Sequence, residues 1–104
     1  MTQVKTILLI DDDDDLREAL TEQFVMTEEF AVVEAGTGAD ALQHLKNGLF
    51  DLLIVDVGLP DTDGRELCRL MRKQGLKTPV IMLTGHATDA DTILGLDAGA
   101  NDYV

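Results

Sequence analysis

Three apolar runs in this sequence end in residues able to do chemistry. Leu52-Leu53-Ile54-Val55 runs into Asp56, and Ile7-Leu8-Leu9-Ile10 runs into Asp11, with four more aspartates behind it. A third run, Val80-Ile81-Met82-Leu83, ends in the hydroxyl residue Thr84. The carboxyl ends of neighbouring strands in a parallel sheet open into one crevice. Asp11, Asp12, Asp56 and Thr84, remote in sequence, would converge there. Carboxylates gathered in one crevice repel each other unless a cation sits between them. Ligands that are all oxygen suit a hard divalent ion such as Mg2+. The pattern predicts a metal-assisted phosphoryl site.

The elements that must position these residues can be followed along the chain. Residues 6–10 form a continuous apolar run, as expected of a strand covered on both faces. Asp13, Asp14 or Asp15 can cap the helix that follows, on which Leu16, Leu20 and Phe24 recur every four residues. Phe30 to Ala35 reads as a short strand closed by Gly36-Thr37-Gly38. Ala41, Leu42 and Leu45 mark one face of a second helix that stops near Asn47-Gly48. Asp51 to Val55 is a third strand, Gly64 to Lys73 a third helix ended by Gly75, and Pro79 to Leu83 a fourth strand. Its proline stands first, where a missing donor does least harm. Asp89 to about Ala98 reads as a fourth helix, and Asn101 to Val104 begins a fifth strand. Short apolar strands alternating with helices give a doubly wound α/β sheet with right-handed crossovers.

Composition narrows the setting. At 104 residues the chain is one domain, and 45% hydrophobic residues suffice for a core. The one cysteine, Cys68, cannot form an internal bridge and falls in a helical pattern with Leu67, Leu70 and Met71, where a small buried side chain is expected. The lack of a disulfide framework suits a reducing compartment. Neither a basic leader before an apolar segment nor an apolar run approaching ~18 residues is present, so a cytoplasmic protein without membrane contact is expected. Twenty acidic against eight basic residues give a net charge of -12, which argues against this domain gripping a nucleic-acid backbone. Arg65, Arg69, Arg72, Lys73 and Lys77 gather about the third helix, where a solvated face is the reading. His44, amid the second helix, has no partner pattern for metal binding.

Taken together, ILLIDDDDDLREAL, DLLIVDVGLPDTDGRELCRLMR, PVIMLTGHA and LDAGANDYV resemble the receiver domain of bacterial two-component response regulators. The resemblance covers essentially the whole chain, and four segments in this order are far more specific than any one. GLDAGANDYV further resembles the OmpR/PhoB type, whose receiver precedes a winged-helix DNA-binding domain. The resemblance implies the flavodoxin-like, CheY-like fold, a five-stranded parallel sheet of order 2-1-3-4-5. It implies that Asp56 is the phosphoacceptor, taking a phosphoryl group from a histidine of a sensor kinase. Such a domain is an acceptor and switch, not an enzyme in the ordinary sense. Asp11, Asp12 and Asp56, with the backbone carbonyl of Gly58, would hold Mg2+, Asp11 largely through water. Asp14 and Asp15 are read as ordinary acids favoured at a helix N-terminus. Thr84 matches the hydroxyl that closes on the phosphoryl oxygens, and Tyr103 the aromatic residue that swings inward with it. Gly58 and His86 occupy positions that influence how readily water reaches the acyl phosphate. Pro60 and Gly64 shape the loop under the site.

In the family pattern a lysine two positions beyond Val104, a proline and a fifth helix would follow. Residues 1–104 therefore read as a C-terminally incomplete receiver domain, with its last helix missing. Two expectations attach to that reading. The missing ammonium weakens phosphorylation, and the uncovered sheet face promotes self-association. DNA would be met only through an output domain absent from this chain. Two other readings compete. A phosphorylation-independent interaction module of the same fold would keep the sheet and lose the chemistry. A haloacid-dehalogenase-like phosphatase needs a second acid two residues after its nucleophile, where Gly58 stands. A calcium loop at Asp61-Thr62-Asp63-Gly64 fails because Leu59 and Leu70 occupy ligand positions.

Overall fold

The computed structural model describes residues 4–83 and the backbone of Asp102 and Tyr103. The elements are β1 (Lys5–Ile10), α1 (Asp14–Met26), β2 (Phe30–Ala35), α2 (Gly38–Asn47), β3 (Leu52–Asp56), α3 (Gly64–Lys73), β4 (Val80–Leu83) and β5 (Asp102–Tyr103). The strands form one sheet of order β2-β1-β3-β4-β5, parallel at every pairing. This is the sheet order that the family resemblance implies. The predicted helix at Asp89 to Ala98 lies outside the described residues.

Local chemistry explains where the boundaries fall. Among the three aspartates able to cap α1, Asp13 does so, its carboxylate accepting the Leu16 N–H at 3.1 Å. Thr37 caps α2 by accepting the Asp40 N–H at 3.0 Å. β3 begins at Leu52, one residue later than the expected start at Asp51. Asp51 turns its carboxylate onto the Thr6 N–H at 2.8 Å, and Asp56 joins the ladder opposite Leu83. β4 likewise begins at Val80, after Pro79, which has no N–H to give but whose carbonyl accepts from Leu53 at 3.0 Å.

Successive strand side chains point to opposite faces, and each face meets a helix layer. Leu8, Ile10, Leu53, Val55, Val80 and Met82 pack with Ala41 of α2 and Leu67, Cys68 and Met71 of α3. On the other face Ile7, Leu9 and Ile54 meet Leu20 and Phe24 of α1. Phe24 sets its ring edge-on to Phe30, centroids 5.7 Å apart. Leu16, of the same helical series, is 43% exposed and adds little. Cys68 is the small buried side chain expected, its thiol pushed up in pKa by burial.

Candidate metal centre

β1 and β3 are neighbours with Ile10 opposite Val55, so their carboxyl ends stand level. Asp11 follows directly, its N–H still donating to the β2 carbonyl of Ala35 at 3.0 Å. Asp56 is the last residue of β3. Asp12, exposed, starts the turn into α1. One carboxylate oxygen each from Asp11, Asp12 and Asp56 lies within 4.8 Å of the others. The sheet register therefore joins acids that are 45 positions apart in the chain.

Asp11 is only 2% exposed. Burial raises its pKa, against the lowering effect of the Asp13 N–H, which its Oδ1 accepts at 2.9 Å. Burial also raises the pKa of Asp56, and the neighbouring charges of Asp11 and Asp12 push the same way. The backbone N–H of Gly58 opposes them. Burial and neighbouring negative charge thus disfavour the ionised forms of Asp11 and Asp56 in a partly dry crevice. An oxygen-only set under that repulsion fits a hard divalent cation.

The Arg17 guanidinium, whose charge reaches Asp11, is committed elsewhere. The Arg17 guanidinium donates to the main-chain oxygen of Asp11 at 2.6 Å, to Asp14 at 2.7 Å and to Glu34 at 3.1 Å. It ties α1 and β2 to the end of β1 while its charge is met by two other acids. Nothing in the sequence analysis marked Arg17. Its spacing of three from Asp14 was readable, whereas its reach to Glu34 across the sheet was not.

The loop after β3 is shaped by close approach. A Cβ on Gly64 would lie 2.2 Å from the Asp56 carbonyl oxygen, so only glycine lets α3 start there. Gly58 bridges to Asp63, and a Cβ on Gly58 would be 3.9 Å from Asp56 Oδ2, an ordinary contact. Asp63 caps α3 through the Arg65 N–H at 2.8 Å and binds the Arg65 guanidinium, which holds its pKa low. Asp61 accepts the N–H groups of Gly38 and Ala39, the first cause of its lowered pKa. Both acids weighed for a calcium loop are thus engaged with the protein. The other arginines of α3 have local partners too: Arg69 pairs with Glu66, and Arg72 donates to the carbonyls of Leu76 and Thr78.

Thr84 and His86 lie outside the described residues. The Tyr103 backbone sits in β5 opposite Met82. Among the described residues no helix is long and apolar enough to cross a membrane.

Known proteins resemble this chain in sequence and in fold. The transcriptional regulatory protein GltR of Pseudomonas aeruginosa is 44% identical over 102 residues, covering 96% of this chain and 42% of its own length. AfsQ1 of Streptomyces coelicolor, also a transcriptional regulatory protein, is 41% identical over 99 residues, covering 95% of this chain and 43% of its own. The chain thus spans under half the length of these relatives. Among solved structures, DrrB, described as a Thermotoga maritima OmpR/PhoB homologue, matches with a TM-score of 0.86 at 32% identity, over 98% of this chain and 45% of that one. Its BeF3-activated receiver domain alone matches with the same score and identity, covering 98% of this chain and 84% of that domain. Residues 7–104 match the response regulator receiver domain family. With the sheet order, the strand-end acids and these relatives in agreement, the chain belongs to the response regulator receiver domains.

Proposed function

We propose that Asp56 is a phosphoacceptor, charged from a phosphohistidine of a sensor kinase at a Mg2+ centre held by Asp11, Asp12, Asp56 and the Gly58 carbonyl. The observation that carries this reading is the meeting of three strand-end carboxylates within 4.8 Å. An Asp56 oxygen forms the new bond to phosphorus as the histidine N–P bond breaks, its electron pair returning to the imidazole. Phosphoryl transfer of this kind has a loose transition state, so alignment and charge neutralisation do most of the catalysis. Bound Mg2+ supplies that neutralisation. This chain's residues do the rest: Asp11 and Asp12 fix the cation's place, and the Gly58 N–H favours the ionised, nucleophilic form of Asp56. The Thr84 hydroxyl contacts the phosphoryl oxygens, a hydrogen bond worth about 1 kcal/mol, enough to bias a balanced switch in which Tyr103 follows.

The output is transcriptional regulation, carried by a further domain, as the similarity to the transcriptional regulatory proteins GltR and AfsQ1 suggests. Contact with DNA belongs to that domain, since the net charge of -12 here opposes it. Incubation with acetyl phosphate and Mg2+ tests the chemistry, read by intact-protein mass spectrometry. The chain should gain one phosphoryl group, and Asp56→Asn should gain none because an amide is no nucleophile here. Equal modification of both proteins overturns the assignment, and so does a failure to modify a version extended through the family's lysine and fifth helix, beside which residues 1–104 alone should react more slowly.

A further inference from the structure

The loop from Val57 to Asp63 is fastened at two levels. At its base Gly58 bridges to Asp63, and the Gly64 N–H donates to the Val57 carbonyl at 2.9 Å. Its tip is fastened to a different element. Asp61 Oδ1 accepts the Gly38 N–H at 2.8 Å and Oδ2 accepts the Ala39 N–H at 3.0 Å. Since Thr37 already caps the Asp40 N–H, Asp61 completes the N-terminus of α2 from over twenty positions away. The seat is closely fitted. Gly38 is buried, and a Cβ there would stand 2.6 Å from Thr62 Cγ2. α2 meets the loop at this distance because residue 38 has no side chain.

We propose that Asp61 is a positioning residue for the metal centre, its paired hydrogen bonds to α2 holding the loop that presents Gly58 beside Asp56. The inference rests on the Mg2+ reading given above. A charged acceptor makes each of these bonds stronger than a neutral one, and two parallel bonds fix direction as well as distance. With the tip held by α2 and the base by the Gly58–Asp63 bridge, the intervening residues have little freedom to move Gly58 away from the crevice. Coupling of this kind is reciprocal. If a seated tip favours the ion, the bound ion must favour the seated tip by the same factor, and α2 becomes an element that registers occupancy.

Amide hydrogen exchange on the intact chain, followed by NMR with and without Mg2+, reads one side of that cycle. Mg2+ should slow exchange at Gly38 and Ala39. Isothermal titration with Mg2+ reads the other side. Asp61→Ala should bind Mg2+ about fivefold more weakly, in the usual range for such coupling, and lose the Mg2+ effect on both amides. Asp61→Asn, which keeps one acceptor oxygen, should fall between. Asp40→Asn removes the same charge from the first turn of α2 without touching the pair of bonds, and should bind like wild type. In a wild type that binds Mg2+ by titration, exchange at Gly38 and Ala39 that ignores the ion overturns the proposal without any variant. Wild-type affinity in a folded Asp61→Ala, or equal weakening in Asp40→Asn, overturns it as well. A wild-type chain that binds no Mg2+, or binds it equally after Asp56→Asn, shows instead that the metal reading itself has failed.

Discussion

Asp11, Asp12 and Asp56 were legible because each interrupts or follows an apolar run, so charge stands where burial is expected. Arg17 and Asp61 were not, because their partners Glu34, Gly38 and Ala39 lie 17 to 23 positions away and the side chains look like ordinary surface charge. Two predictions belong to single residues. Asp12 is exposed, so Asp12→Ala should leave the fold intact while weakening Mg2+ binding. A ligand at a hundredfold excess over Kd stabilises by about 2.7 kcal/mol, and urea melts with and without Mg2+ should show most of that gain lost in the variant. Equal stabilisation of both proteins would falsify the ligand role. The second prediction concerns protons. Asp11 and Asp56 hold theirs more tightly folded than unfolded, since burial raises both from an ordinary 3.8. Their contribution to stability is therefore fully present below that value and declines as pH rises through their raised folded values. In metal-free melts across pH 4 to 7, Asp56→Asn should flatten this decline. Asp63, held low by Arg65, runs the other way, losing its contribution as pH falls through its depressed value.

At the scale of elements, α3 was found at its sequence-read bounds because a capping aspartate, a turn glycine and an apolar stripe agree there. β3 and β4 shifted by one residue where Asp51 and Pro79 use their backbone or side chain outside the ladder. Periodicity reports which face is buried, and it is blind to such individual bonds. The junction of β3 and α3 is where element geometry bears on the centre. Since a Cβ on Gly64 would meet main-chain oxygen of Asp56, and no flexible side chain can yield, Gly64→Ala must move one element or the other. A cost of about 1–3 kcal/mol is expected from such overpacking. Because the displaced atom belongs to Asp56, Mg2+ affinity should fall along with stability. Melts and metal titrations of this variant should therefore move together. Those of Met71→Ala, buried in α3 away from the acids, should show a loss of about 2–5 kcal/mol in stability with affinity unchanged.

For the molecule as a whole, the sheet order makes β1 the hub, paired with β2 on one side and β3 on the other. That order was legible from alternating strand and helix patterns together with the family resemblance. The packing of α2 against the β3–α3 loop was not, since it depends on the absence of a single Cβ at Gly38. The same hub has a kinetic consequence. When β3 docks on β1 in register, Asp56 is carried up to Asp11 and Asp12, and the metal-free chain meets their mutual repulsion at that moment. Parallel pairing across such a separation is slow, because the loop must close before contacts reward it. The repulsion thus falls on the climb to the folding barrier. In stopped-flow chevrons without metal, Asp56→Asn should refold faster than wild type with a nearly unchanged unfolding arm. A change confined to the unfolding arm would mean that the acids come together only after the barrier has been crossed.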